Sequence, residues 1–250
     1  MVISQRFVIR FVLLIALTAL FLSCQHQTPA QLADTILDGA VVRYGGSTYE
    51  QVRVTFEHNN QQFQLEQKGQ RYRYERFSKG ASAHDIITPD STLSTGTLPL
   101  NQAERLANRV ALTTVAYWTF LPYLLRHTAG QKMYLGEVSI NDELYFKIRI
   151  LPDTTSEAYR VGKAFMLWIH TKENTVDYIA YERPDGKLRF GKAVHPQQVE
   201  GLRFQDVVFY QPVLPDATLP IMEKLFLSSK LSEAERFELK NLKVSTLSVQ

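Results

Sequence analysis

One cysteine among 250 residues excludes an intramolecular disulfide, a Cys-based zinc site and an iron–sulfur cluster. An excess of one charge is missing as well. Lys and Arg number 28 against 25 Asp and Glu, with no basic cluster, so nothing marks nucleic acid as a partner. No Gly-x-Ser-x-Gly elbow, Gly-rich phosphate loop or His-Glu-x-x-His motif occurs. The six histidines, His26, His58, His84, His127, His170 and His195, lack sequence-near ligand partners. Glu137, Asp142, Glu143 and Asp177 lie near predicted strands or turns, where solvated faces account for them. The sequence therefore assigns no catalytic residue, metal or cofactor, and a non-enzyme is expected. An extracytoplasmic hydrolase is the least supported class.

What is present is 45% apolar and 21% charged residues, an ordinary globular balance. The first 23 residues stand apart. Arg6 and Arg10 precede an apolar run from Phe11 to Leu22 interrupted only by Thr18. Twelve residues are too few to span a bilayer core, which takes about 20, and they suit a signal h-region. Phe21-Leu22-Ser23-Cys24 follows and resembles the bacterial lipobox, with Phe21 where Leu is usual. Residues 1–23 read as a lipoprotein signal peptide, 24–27 as a lipidated tether and 28–250 as one domain. The expected modification is a covalent lipid on Cys24, and several acyl chains at ~0.8 kcal/mol per buried methylene anchor firmly. Without residues 1–23 the chain has 26 Lys and Arg against 25 Asp and Glu, so the basic bias belongs mostly to the signal. Gln25 instead of Asp after the cysteine favours the outer membrane, facing the periplasm.

Two helices are expected. Thr28-Pro29-Ala30-Gln31 reads as a capped start, followed by the stripe Leu32, Ala33, Ile36, Leu37, Ala40 and Val41 and stopped by Gly45-Gly46. Asn101 and Glu104 form a capping box for the second. From Val110 to Leu125 this segment carries no charge. At 1.5 Å per residue it reaches ~24 Å, short of a ~30 Å hydrocarbon core. The expectation is a helix buried on all sides to about Thr119, kinked at Pro122. Elsewhere, period-two alternation marks strands: a meander over 51–75, a weak strand near His84–Thr88, a hairpin about Asn141-Asp142, and further strands at 164–170, 175–182, 187–190, 194–199, 202–210 and 237–247. The predicted fold is mainly β with α, a single curved antiparallel sheet of about eleven strands wrapped as a half-barrel around the apolar helix.

The lipobox, the helix ending in Gly-Gly, Tyr117-Trp118-Thr119-Phe120-Leu121-Pro122-Tyr123-Leu124-Leu125 and the later Tyr134-Leu135-Gly136-Glu137 resemble a family of uncharacterised bacterial outer-membrane lipoproteins. That family is similar in architecture to the Lol-type lipoprotein-localisation carriers. The resemblance implies a half-open barrel with helices plugging a hydrophobic cavity, and a lipid-like ligand. Aromatics cluster at the helix kink, so Trp118, Phe120, Tyr123 and Leu124 are the candidate ligand-binding residues, with Pro152–Lys163 as a candidate lid. Against a binding module for an apolar or acyl-chain ligand stands a structural or interaction lipoprotein with a filled core. The space beside Trp118 decides between them. No protein partner is indicated. Replacing Cys24 by Ala should abolish fatty-acid labelling and membrane retention in the native cell; labelling that survives the substitution would place the lipid elsewhere.

Overall fold

The computed structural model describes residues 27–78, 84–95 and 100–247. The signal peptide, the lipobox and Cys24 lie outside the described residues. In chain order the elements are α1 (Pro29–Tyr44), β1 (Gln51–His58), β2 (Gln61–Lys68), β3 (Arg71–Ser78), β4 (His84–Ile87), β5 (Thr92–Thr95), α2 (Gln102–Thr119), α3 (Tyr123–His127), β6 (Gly130–Ile140), β7 (Glu143–Pro152), α4 (Glu157–Val161), β8 (Ala164–His170), β9 (Val176–Glu182), β10 (Leu188–Val199), β11 (Leu202–Pro212), α5 (Met222–Leu227), β12 (Leu231–Phe237) and β13 (Lys240–Thr246).

Both main helices begin at the capping boxes. The Thr28 side chain accepts from Gln31 N, and the Gln31 side chain accepts from Thr28 N. Asn101 and Glu104 repeat the pattern. Gly45 ends α1 at φ +134°, and a Cβ there would collide with Leu202, so α1 stops against β11.

The strands form two antiparallel sheets. One is six-stranded, ordered β13-β1-β2-β3-β4-β5; the other is seven-stranded, ordered β12-β11-β10-β9-β8-β7-β6. The mainly β, unclosed antiparallel architecture is as expected, with two sheets and thirteen strands among the described residues where one sheet of about eleven was read. The segment 237–247, read as one strand, divides at Glu238-Leu239, whose backbone turns sideways. Leu239 N–H donates to Asp206 Oδ1 at 2.9 Å, Gln197 Nε2 to Leu239 O at 3.4 Å, and His58 Nδ1 lies 3.3 Å from Glu238 O. With those backbone groups satisfied by side chains, no ladder is needed between β12 and β13. The chain passes there from the edge of one sheet to the edge of the other. The two sheets thus follow one another as a split half-barrel, open at β5 and β6 among the described residues. Three smaller differences have equally local causes. Residues 187–190 and 194–199 form one strand, β10, because His195 takes φ +46° in a bulge. The Ser/Thr-rich stretch contains β5, where short hydrogen-bonding side chains hide the strand pattern. The loop 152–163 contains α4, whose N-cap is Ser156.

The concave face holds α1, α2 and α3 against both sheets in one apolar core, from Leu37 and Tyr49 to Ile148 and Phe209. Tyr44 anchors α1: its hydroxyl donates to Gln205 Oε1 at 2.6 Å and accepts from Val176 N at 3.1 Å. A second core lies on the convex face of the seven-stranded sheet, where Leu219, Met222 and Leu225 cover Trp168 and Phe190. β8 is therefore buried along nearly its whole length on both faces. Replacing Asp206 by Ala leaves the Leu239 amide without its acceptor at the seam. It should cost about 1–3 kcal/mol of stability, measured by denaturant unfolding, with Asp206→Asn recovering part of the loss.

Candidate functional site

Helix α2 divides into two opposite faces. At about 100° per residue, Arg109, Leu112, Ala116 and Thr119 fall on one side, and Leu106, Ala107, Val110, Ala111 and Thr114 on the other. The first side is packed: Leu112 and Ala116 are fully buried, and Thr119 nearly so. The second borders an open cavity of about 630 Å³, within the range of small-molecule sites. Its far wall is built from Val161, Tyr181, Pro184, Phe209 and Phe237, with His58 and Asn59 at the seam. The expectation that α2 is buried on all sides is therefore corrected. Its uncharged stretch packs on one face and lines empty space on the other, and both demand apolar residues.

Of the four candidate ligand residues, the structure places only Trp118 on the cavity. Its ring rests against Tyr181 and Phe209, with centroids 4.9 and 5.2 Å away. The other three lie elsewhere. Phe120 is fully buried between Tyr49 and Tyr74. Tyr123 stacks on Tyr49 at 5.4 Å, and Leu124 packs on the same core. The physical reason is the helix break after Thr119, which turns the chain inward so that these side chains fill the space under the 3-10 turn Gly46–Glu50. Trp118, in the last regular turn of α2, still follows the helical phase of Val110, Ala111 and Thr114. That phase was the signal in the sequence for the true lining; aromatic clustering pointed past it.

Arg109 fixes the helix from its packed side. Its guanidinium is mostly shielded from solvent and donates to Glu157 Oε1 at 2.7 Å, Tyr72 Oη at 2.8 Å, Thr88 O at 3.0 Å and Ser91 O at 3.2 Å. This joins α2 to α4, to β3 and to the β4–β5 turn. The candidate lid is thereby held as cavity wall, with Arg160 and Val161 lining it. Arg160 and Arg183 border the cavity with Glu235 as the carboxylate in its wall, while Arg236, in register with Val208, points to the other face of β12 and holds Glu233 at 2.7 Å. Burial pushes the His58 imidazole below its usual value of 6.5, against the raising effect of the Glu238 carbonyl. No group of three or more His, Cys, Asp or Glu among the described residues could hold a metal ion. No helix among them is long and apolar enough to cross a membrane.

No family model and no curated protein matches this sequence. Solved structures do. A LolA superfamily protein from Nitrosomonas europaea is 12% identical over 87% of this chain and 94% of its own, at a TM-score of 0.43. A domain provisionally described as an outer membrane lipoprotein-sorting protein, from Vibrio parahaemolyticus, is 8% identical over 87% and 94%, at 0.42. A DUF1329 family protein from Desulfovibrio piger is 8% identical over 87% and 93%, at 0.40. None of these three descriptions names an enzyme. With TM-scores this low they carry neither ligand nor activity to this chain, and its half-barrel rests on its own strand order.

Because the folded state disfavours protonated His58, its contribution to stability is complete above the unfolded value of 6.5 and is lost as pH falls below it. Hydrogen-exchange protection of the Glu238 and Leu239 amides should decline over that range. A His58→Gln variant should show the same protection on both sides of it; a wild-type seam that stays equally protected would contradict the assignment.

Proposed function

We propose that this chain is an envelope lipoprotein, anchored through Cys24 and placed at the outer membrane, whose folded part holds an acyl chain or comparable apolar ligand in the cavity beside α2. The observation that carries the reading is the open space at Trp118. A row of small and aliphatic side chains, Ala103, Ala107, Val110 and Ala111, faces it across from Phe209 and Phe237. Leu106 in the same row is 49% exposed. Leaving such surface in water forfeits about 25 cal/mol for every Å² that burial would remove. A ligand that covers it recovers that term. This favours the binding module over the filled-core lipoprotein. The lining favours binding over catalysis too, since its hydroxyl, imidazole and carboxylate groups form no nucleophile–base pair in hydrogen-bond contact. The membrane address is supported by the h-region and the sole cysteine at its end.

The test is to purify the full chain and identify extracted lipids by mass spectrometry, alongside an Ala107→Trp variant. Ala107 is exposed and lines the cavity, so an indole there occupies ligand space without disturbing the packed face. Surface substitutions of this kind change stability by about 0.5 kcal/mol or less. The variant should retain its unfolding midpoint and lose bound lipid at least about tenfold, the equivalent of about 1.4 kcal/mol. Equal lipid in both proteins would remove the cavity from the account.

A further inference from the structure

We infer that the ligand of this cavity is an amphiphile with an anionic head, a carboxylate or phosphate, held by Arg160 and Arg183. The inference rests on the cavity being a ligand site. A container for a neutral chain needs no charge in its wall, yet Arg160 and Arg183 border this one, and its one carboxylate, Glu235, faces Arg189. That imbalance is not a property of the chain at large, where the two signs nearly cancel.

Each arginine has a carboxylate neighbour, but those neighbours are outside the cavity wall. Arg183 is 3.6 Å from Asp185 and Arg160 is 3.4 Å from Glu157. Glu235, which does line the space, is directed at Arg189 at 3.7 Å. Arg160 is the less satisfied of the two. Its Nε is shielded from solvent, makes no hydrogen bond, and has only a 3.4 Å ion pair with Glu157. Glu157 is already committed to Arg109, which approaches it through Nη2 at 2.7 Å and Nε at 3.1 Å. One carboxylate shared between two guanidinium groups leaves positive charge beside an apolar wall. Guanidinium also suits both head groups, because its planar fork pairs with two oxygens of either. The chain of the amphiphile would then run along Ala107, Val110 and Trp118, and its head would remain at the partly exposed arginines.

The test uses the purified full chain in an amphipathic polymer at mildly alkaline pH, with photoreactive palmitate and the matching photoreactive hexadecanol. Crosslinks are mapped by peptide mass spectrometry. Both probes should label residues 103–118, the acid about tenfold more efficiently than the alcohol. A charge-assisted hydrogen bond supports a preference of that size, and added salt should erode it. In the combined Arg160→Gln and Arg183→Gln variant the two yields should become equal, with alcohol labelling unchanged as the control for an intact fold. Equal labelling of the wild-type chain by acid and alcohol would overturn the anionic head while leaving the cavity reading in place. No labelling at 103–118 by either probe would overturn both. Inorganic phosphate that displaces the acid probe at concentrations no higher than palmitate itself requires would show a site for a free anion, and would overturn the amphiphile.

Discussion

The ion pair between Arg109 and Glu157 sets the position of α2, and the cavity exists only because α2 stays where it is. A helix with apolar side chains on two opposite faces would bury both if it were free to sink into the barrel. Arg109 prevents this from the packed side. Its guanidinium reaches Tyr72 on β3, the carbonyls of the β4–β5 turn and Glu157 on α4 together. Moving the helix inward would break several hydrogen bonds to a charged group at once, each worth about 1.5–3 kcal/mol. Those partners also draw α4 against α2, so one residue places both the floor and one wall of the cavity. Lys cannot substitute for it, because a point charge has no fork with which to join four acceptors.

The seam between the sheets supplies the opposite wall. A continuous thirteen-strand sheet would close more tightly on α2. The break at Glu238-Leu239 lets the two sheets diverge, and Glu235 and Phe237 just before it, in register with Phe209 and Val207, face the space that opens. The break is inexpensive because Asp206, Gln197 and His58 take over the backbone groups that a ladder would have used. It is also where burial and charge meet. His58 stacks near Phe237, 4.8 Å between centroids, while its own charge is disfavoured by that burial.

Much of this was legible in the sequence, and the divisions follow from the range of the physics involved. Capping boxes, the Gly45 stop and the Asn141-Asp142 turn are determined within a few residues, and all stand as read. The alternation of Val52, Val54 and Phe56 gave β1 its buried face. The seam was not legible, because Asp206 and Leu239 meet across 33 positions of chain. Nor was the content of the apolar run 110–125. Hydrophobicity states that water is unwelcome on both faces of α2, and it does not distinguish a face covered by Leu65 and Phe165 from one that borders an empty volume. For the same reason Phe120, Tyr123 and Leu124 read as a cavity mouth when they fill the core.

The convex face shows what the concave face would look like if it had been built to be filled. There α5 and the segment before it seal the seven-stranded sheet completely. Even a cation is enclosed: Lys147 is 8% exposed, lies 2.7 Å from Glu223 Oε1, donates to Pro220 O at 3.0 Å, and sits 5.4 Å from the centre of the Trp168 ring. A buried ion pair is costly unless the charges meet; here they do, although Glu223 Oε2 and Trp168 Nε1 are buried without a hydrogen-bond partner. On the concave side Arg160 shares its carboxylate with Arg109, and the apolar wall is left short of cover. The same chain thus covers one surface of its sheet with apolar residues and leaves the other wanting apolar contact beside a guanidinium that shares its carboxylate, which suits the two ends of a single amphiphilic molecule.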